Sequence, residues 1–294
     1  MELRHLKSFL AVAEALSFVR AAEKLHLSQP ALTSQIQKLE EDVGVQLFIR
    51  NPRQVTLSDA GSIFVEEAQE TLARAAKAVD RVQKASRGEI GLLRIGFVSS
   101  AALEIVPGIA VAFQKRFPSV ELDLMNLRTS TQLESLTTKT IDIGFVRLPA
   151  DHKSLVFTPI HKEPFVVVMP KDHALARRRS FKLSDLGHEK FVAYGRKWAP
   201  GFFDQIIALC NEAGFTPDVV QETGEMYTAI ALVAAGQGVA ILPRSVVLAQ
   251  ARGVVFKALP LQSAKSEIAI ASRADDISPL VKTFLAFAQR YRLA

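Results

Sequence analysis

The chain has 294 residues, more than one ordinary hydrophobic core accommodates, so its length favours a multidomain protein. Hydrophobic residues make up 49% and charged residues 22%, a balance that excludes a disordered chain. The net charge of +6 permits an anionic partner without establishing one. No apolar run reaches the roughly 18 to 20 residues of a membrane-spanning helix, and MELRHLKSFL lacks a secretory pattern. We therefore expect a soluble, cytoplasmic protein.

Residues 1 to 58 show three short amphipathic helices followed by a hairpin. Ser17 is placed to cap the second helix, Ser28 to cap the third, and Gly44 to end it. The buried stripe of the third helix consists of Leu32, Ile36, Leu39 and Val43. Only a few residues around His26 and Leu27 join the second and third helices, a spacing typical of a helix-turn-helix.

Two short apolar runs follow the third helix and predict a hairpin. They are Val45–Ile49 and Val55–Leu57, and the turn between them contains Arg50 and Arg53. This partly basic tip resembles the wing of a winged helix.

From Asp59 to about Lys84 the sequence predicts one long helix. Its heptad rows are Val65, Leu72 and Val79 on one line, and Ala68, Ala75 and Val82 on the other. We favour pairing with the same helix of a second chain, although a helix lying on its own domain would show a similar stripe. Residues 59–88 are thus predicted to be a linker and dimerisation helix.

The remaining two hundred residues alternate strands and helices, which indicates βαβ units and a parallel sheet. A second round of this alternation begins at PFVVVMP, so residues 91–294 are predicted to form two α/β lobes. Lobe I comprises about 91–161 and 267–294, and lobe II about 162–266. We expect a ligand cleft between the lobes.

The exposed face of the third helix is a candidate DNA-reading surface. Opposite its apolar stripe lie Gln29, Thr33, Ser34, Gln37 and Lys38, with Gln35 at the edge. Short and amide side chains of this kind pair with base edges in the major groove. An ordinary solvated helix face is the alternative, and the capped Gln-Pro start, the short turn and the basic wing together favour DNA binding.

Several sequence segments together resemble those of the LysR-type transcriptional regulators, and the resemblance covers essentially the whole chain. SFVRAAEKLHLSQPALTSQIQKLEEDVGVQLFIR, followed by TLSDAG, is similar to the family's winged helix-turn-helix; IDIGFV, GFVRLP, MPKDHALA and LVAAGQGVAILP are similar to its effector domain. The resemblance implies an α+β multidomain fold with an N-terminal winged helix-turn-helix, a long linker helix and a two-lobed effector domain of the periplasmic-binding-protein type. The family commonly has arginine at Ser34, and serine reaches less deeply toward a base.

The predicted DNA-binding set joins this helix to the wing. It consists of Ser28, Gln29, Pro30, Thr33, Ser34, Gln35, Lys38, Arg50 and Arg53. Residues 1 to 58 hold seven Lys and Arg against six acidic residues, so the placement of charge matters more than its total.

The predicted effector set lies at strand ends and helix starts in the second part of the chain. It consists of Ser99, Ser100, Thr129, Arg147 and Phe203. Free N–H groups and hydroxyls there favour anions, although helix capping alone would also explain the hydroxyls. Arg147 is predicted to offer its guanidinium to a carboxylate at the cleft mouth, and a surface-loop arginine is the alternative. An apolar wall is expected from Tyr194, Trp198, Phe202, Phe203 and Met226.

Catalytic, metal and cofactor motifs are missing from the sequence. The six histidines show no metal-ligand spacing, and Cys210 has no second thiol and sits in an apolar helical stripe. GxSxG, HExxH and the three-glycine dinucleotide motif do not occur. We therefore predict no enzyme activity, no metal and no cofactor.

These observations favour a sequence-specific transcriptional regulator that responds to a small aromatic or unsaturated carboxylate. The family resemblance implies a dimer of dimers on promoter DNA and contact with RNA polymerase. A two-lobed solute-binding protein is the alternative, and a cleft enzyme is a third hypothesis that no catalytic constellation supports.

Overall fold

The structure, a computed structural model, describes residues 1–51, 54–259 and 265–291. These residues form two compact units, Met1–Gln83 and a second unit that begins at Lys84. Among the described residues, no helix combines the length and the apolar character needed to cross a bilayer.

Three short helices open the first unit. They are α1 (Leu3–Ala15), α2 (Phe18–Lys24) and α3 (Gln29–Val43). Ser17 accepts a hydrogen bond from the Arg20 backbone N–H, and Ser28 accepts one from the Ala31 backbone N–H. Gly44 has a φ of +79°, the left-handed conformation that ends a helix. The predicted caps and the predicted stop are confirmed.

An antiparallel hairpin follows α3. It consists of β1 (Phe48–Asn51) and β2 (Gln54–Leu57), with Phe48 opposite Leu57 and Asn51 opposite Gln54. The first strand therefore starts later than Val45, because the preceding residues connect α3 to the hairpin. The prediction that Arg53 contacts DNA from the wing tip falls outside the described residues.

The long helix α4 (Asp59–Ser86) has two environments along its length. In its first half, Ala68 is buried and Leu72 packs against the core of α1 to α3. In its second half, Val79 and Val82 are 58% and 70% exposed. The alternative of a helix lying on its own domain thus describes the first half, whereas the second half carries exposed apolar side chains that ordinary solvent contact does not stabilise.

Lobe I of the second unit is a sheet covered by helices. Its strands are β3 (Gly91–Phe97), β4 (Val120–Asn126) and β5 (Ile143–Leu148), and its helices are α5 (Ala101–Glu104), α6 (Val106–Arg116) and α7 (Thr129–Thr137). β3 pairs in parallel with both β4 and β5, as the alternating pattern predicts. The short helix α5 directly precedes α6.

A single long strand, β6 (Leu155–Pro170), runs from lobe I into lobe II. In lobe I it pairs with β11 (Lys265–Arg273), which itself pairs with β5. In lobe II it pairs with β9 (Ala240–Pro243) and β10 (Val254–Ala258). The last helix, α10 (Pro279–Arg290), buries Phe284 against Phe113 of α6, so the end of the described chain returns to lobe I.

Lobe II completes the second unit. Besides β9 and β10 it contains the parallel pair β7 (Lys190–Tyr194) and β8 (Asp218–Thr223) and the helices α8 (Pro200–Glu212) and α9 (Met226–Ala234). Short 3₁₀ helices lie at Ala174–Arg177, Leu183–Leu186 and Arg244–Ala249. Cys210 is fully buried in this lobe, as a core residue.

Candidate functional site

The exposed face of α3 begins at its capped N-terminus. Gln29, Pro30, Ser34 and Lys38 are exposed and Thr33 is half-buried, whereas Leu32, Ile36 and Leu39 are fully buried on the opposite side. Helical periodicity produces this division, because residues three and four apart share one face. The first turn of α3 therefore exposes amide and hydroxyl groups that no bulky side chain covers. A helix with such a surface fits the major groove of DNA.

Gln35 does not belong to this face. Its side-chain oxygen accepts a hydrogen bond of 2.6 Å from the Ser8 hydroxyl, and Ser8 is buried in α1. The amide oxygen of Gln35 joins α1 to α3, because the residue sits at the side of α3 that turns toward α1, and its contact with DNA stays a prediction.

Arg50, whose contact with DNA stays a prediction, is paired within the first unit. Its guanidinium lies 2.8 Å from the Glu40 carboxylate and stacks 5.1 Å above the ring of Phe18. The other oxygen of Glu40 accepts hydrogen bonds from the backbone N–H groups of Leu47 and Phe48. Arg50 therefore fixes the start of the wing onto α3, and its charge is neutralised locally before any phosphate is near.

Lys38 keeps its position on the exposed face but is paired. Its ammonium lies 3.4 Å from both Glu41 and Asp42, and the hydrogen bond to Glu41, with Asp42 adding to it, raises the pKa of Lys38. Because this ion pair is fully exposed, solvent screening keeps it weak and a phosphate can compete for the ammonium.

A small cavity lies between the two lobes of the second unit. Its polar lining consists of Ser99, Ser100, Thr129 and Arg147, and its apolar lining of Val98, Tyr194, Ala199 and Met226. Its volume is only about 10 Å³, which is room for about one water molecule. Four of the five predicted effector residues therefore meet in one cavity, at the carboxyl ends of β3 and β5.

Arg147 is buried rather than placed at the cleft mouth. Only 2% of its surface is exposed, because β5 is an inner strand of the sheet. Its guanidinium donates to the hydroxyls of Ser100 and Ser266 and lies 3.7 Å from the buried Glu163 carboxylate. Burial lowers the pKa of Arg147 to about 10, against the opposing effect of Glu163, so the group remains charged at neutral pH.

The Arg147 guanidinium still has unused donor capacity. Its Nε is buried and has no hydrogen-bond partner among the described residues. The ring of Phe202 lies 5.4 Å from the guanidinium carbon on one side. A buried donor without an acceptor is unfavourable, so this cavity wall favours an incoming acceptor.

The hydroxyls of the cavity do not cap helices. Ser100 precedes α5 but makes no capping hydrogen bond, and its hydroxyl accepts from Arg147 instead. Thr129 is the first residue of α7, and its hydroxyl accepts a hydrogen bond of 3.2 Å from the Arg147 backbone N–H. The capping alternative is therefore wrong for these two residues.

A carboxylate of lobe II already reaches the cavity. The Ser99 hydroxyl of lobe I donates to Glu225, which precedes α9, and also lies 3.3 Å from the Asn126 side-chain oxygen. Arg128 lies 3.8 Å from the same carboxylate and donates to the Gly224 carbonyl. These contacts join the two lobes beside the cavity.

Phe203 lies apart from the other predicted effector residues. It lines a separate apolar pocket inside lobe II with Tyr194 and Ile206, whereas its neighbour Phe202 faces Arg147. Adjacent residues of a helix point about 100° apart, so a one-residue difference moves a side chain to another surface. Phe203 thus does not line the interlobe cavity, and its contact with the effector stays a prediction.

The sequence did not predict two acidic residues of this region, Glu163 and Glu225. Glu163 stands directly before the apolar run PFVVVMP, and Glu225 directly before a helix, where an acidic residue is ordinary. Neither position carries a sequence signal, because both depend on partners distant in the chain.

The chain matches two family models and known regulators over nearly its whole length. The model "Bacterial regulatory helix-turn-helix protein, lysR family" matches residues 3–62, and "LysR substrate binding domain" matches residues 86–292. The HTH-type transcriptional regulator AlsR of Bacillus subtilis (strain 168) is 38% identical over 285 residues, which cover 97% of this chain and 94% of AlsR.

Solved structures show the same architecture. The crystal structure of CbnR, a LysR family transcriptional regulator, superposes with a TM-score of 0.89 and 30% identity, covering 98% of this chain and 100% of CbnR. Full-length CbnR complexed with its target DNA gives a TM-score of 0.85 at 30% identity, with 99% of each chain covered.

Proposed function

The chain belongs to the LysR family of transcriptional regulators, a non-enzymatic family, and from this premise we propose which residues bind DNA and which class of effector it senses. The family assignment makes the chain a DNA-binding regulator with an effector-binding domain. The domain boundaries we propose are 1–58 for DNA binding, 59–88 for the linker helix and 91–294 for effector binding.

For DNA, we propose that the first two turns of α3 enter the major groove. Ser28, Gln29, Pro30, Thr33 and Ser34 form this surface, with Lys38 beside it, and their exposure opposite a fully buried stripe supports the proposal. The related CbnR has been crystallised with its target DNA. Residues at the N-terminal end of a recognition helix reach base edges most readily.

A binding assay with the operator duplex tests this surface. Gln29→Ala and Thr33→Ala each remove a group that faces the groove, and each is expected to weaken specific binding by about 1–3 kcal/mol. Gln46→Ala is the matched control, since Gln46 is exposed but lies beyond α3. Equal losses from Gln46→Ala and Gln29→Ala would contradict the proposed surface.

For the effector, we propose a small carboxylate with a short apolar body, of the aromatic or unsaturated type. The convergence of the Arg147 guanidinium with three hydroxyls in one cavity carries this proposal. The hydrogen bond from the Ser99 hydroxyl to the Glu225 carboxylate supports it further, because it shows that a donor of the cavity wall binds a carboxylate.

Thermal unfolding with pairs of charged and uncharged ligands tests the charge and the size of the proposed effector. A panel of small aromatic and unsaturated carboxylates, such as benzoate, is compared with the uncharged amide of each. We expect at least one acid to raise the unfolding temperature and its amide to have little effect. Ser99→Ala is expected to reduce the shift, whereas Thr131→Val, on the exposed side of α7, leaves it unchanged. Equal stabilisation by acids and amides, or by neither, would refute the proposal.

For assembly, we propose that the exposed second half of α4 pairs with the same segment of another chain, within a dimer of dimers. The 58% and 70% exposure of Val79 and Val82 supports this pairing. The double variant Val79→Asp, Val82→Asp is expected to lower the mass of the assembly in sedimentation experiments. Asp substitution of exposed Ser62 is the control, and an unchanged mass in the double variant would contradict the pairing.

A further inference from the structure

A second cavity of the second unit brings together one histidine and two glutamates. It has a volume of about 270 Å³ and is lined by Glu104, His161 and Glu163, with Arg244 and Ser245 on the lobe II side. Each of these three side chains offers one ligand atom, and the three atoms lie within 4.8 Å of one another. We propose that these three side chains bind a divalent transition-metal ion of the zinc type.

Secondary structure fixes the positions of the three groups. His161 and Glu163 are two residues apart on β6, so their side chains project from the same side of the strand. Glu104 is the last residue of α5 and approaches from lobe I. The site therefore joins a lobe I helix to the strand that both lobes share.

The distances suit a small ion with a tetrahedral ligand set. With metal–ligand bonds near 2.1 Å, two ligand atoms of a tetrahedron lie about 3.4 Å apart. His161 Nε2 and Glu104 Oε2 are 3.6 Å apart, which is too long for a hydrogen bond. The three ligand atoms lie within 4.8 Å of one another, and the exposed Glu104 side chain can rotate toward an ion.

His161 provides the independent indication of a missing partner. Its Nε2 is inaccessible to solvent and has no hydrogen-bond partner among the described residues. Most buried polar atoms in proteins are satisfied, and a neutral imidazole nitrogen is a preferred ligand for zinc-type ions.

Glu163 has acceptor capacity left for an ion. It accepts hydrogen bonds of 2.6 Å and 3.1 Å from the backbone N–H and the hydroxyl of Ser245, and Arg147 stands 3.7 Å away. A carboxylate offers about four acceptor positions, so these contacts leave one open. They also hold the carboxylate in place, as supporting contacts do around metal ligands.

Three basic side chains lie near the site, but none of them takes the place of the metal ion. Lys162 lies 2.8 Å from Glu267 and is neutralised by it, and the side chain of Arg244 is at an exposed position. Arg147 is engaged by Ser100 and Ser266 as well as by Glu163. Mixed imidazole and carboxylate ligands favour zinc-type ions over Mg²⁺ and Ca²⁺, which prefer oxygen alone.

Direct zinc binding to the full chain tests the site. Metal-free protein is titrated with ZnCl₂ against a chromophoric chelator, and one ion per chain is expected at this site. Glu104→Gln removes a ligand that has no other contact among the described residues, so this variant should fold normally. We expect Glu104→Gln and His161→Gln each to weaken the site by more than about tenfold.

Matched controls separate this site from surface binding. Glu134→Gln and His188→Gln change the same residue types at exposed positions and are expected to leave the affinity unchanged. MgCl₂ in excess is expected not to displace zinc. Zinc binding that is equal in wild type, Glu104→Gln and His161→Gln would overturn the proposal, as would binding lost only in a control variant.

Discussion

The Ser99 hydroxyl at the end of β3 donates a hydrogen bond to the Glu225 carboxylate before α9, so a side chain of lobe II is bound at the polar wall of the interlobe cavity. Arg128 lies 3.8 Å from the same carboxylate and stacks on the Trp198 ring at 5.3 Å. An internal carboxylate thus occupies a donor that we assign to the effector, and the two compete.

Removing the Glu225 charge should strengthen effector binding. In Glu225→Gln the amide still reaches Ser99, but repulsion between Glu225 and an incoming carboxylate is lost, and we expect the affinity to rise about tenfold. Calorimetric titration with the most stabilising acid measures this change. Glu212→Gln, an exposed charge change at the end of α8, serves as the control. Weaker binding by Glu225→Gln would show that this carboxylate assists the ligand instead.

Arg147 and Glu163 should behave as a coupled pair in stability measurements. Arg147→Met leaves the buried Glu163 carboxylate without its cation, and breaking such a pair costs about 3–5 kcal/mol. Adding Glu163→Gln removes the stranded charge, so the double variant should be more stable than Arg147→Met alone. Urea unfolding of the second unit measures both, and simple additivity of the two changes would contradict the coupling.

Weakening the ion pairs of Lys38 should strengthen the electrostatic contribution to DNA binding. Glu41→Gln removes one of the two carboxylates that pair with Lys38 and also a negative charge near the DNA backbone. We expect tighter binding at low salt and a steeper dependence of log K on log salt, by up to about one counterion per protomer. Filter binding at several salt concentrations measures the slope. Glu66→Gln, on exposed α4, is the control, and an unchanged slope in Glu41→Gln would place Lys38 away from phosphate.

Cys210 should be unreactive in the folded protein. Burial raises the pKa of its thiol to about 11, so very little thiolate exists at pH 8. Labelling with a thiol reagent is expected to be at least about a hundredfold slower than in the denatured chain. Rapid labelling of the native protein would contradict this.

The same pKa shift predicts alkaline destabilisation. The unfolded thiol loses its proton near its ordinary pKa of about 9, whereas the folded thiol keeps it to about pH 11. The unfolded chain therefore binds fewer protons in that range, so the free energy of unfolding falls as pH rises. Cys210→Ala should show a smaller fall between these two pH values in urea titrations.

The sequence predicted the first unit well because its signals are local. Ser17, Ser28 and Gly44 act on backbone groups within a few residues, and the buried stripe of α3 follows from helical spacing alone. The contacts of Gln35 with Ser8 and of Arg50 with Glu40 were not predicted, because they join residues 27 and 10 positions apart in the chain.

The first part of β6 was not predicted as a strand because its sequence interrupts the apolar pattern. Pro159 and Pro164 lack the donors of an inner strand, and charged residues stand between them. The structure accommodates these prolines because this part of β6 pairs on one side only, with β11. The three-residue cluster around His161 likewise had no sequence signal, since Glu104 reaches it only through the packing of α5.

Every residue of β6 except Ile160 is paired with a neighbouring strand, in one sheet or in the other. The connection through β6 therefore contains no free segment about which the lobes can swing. A ligand that changes the angle between the lobes would have to deform this strand, and we expect its hydrogen bonds to resist the change. Along this connection we therefore expect the effector to cause a small, graded change in the angle between the lobes, rather than a hinge opening.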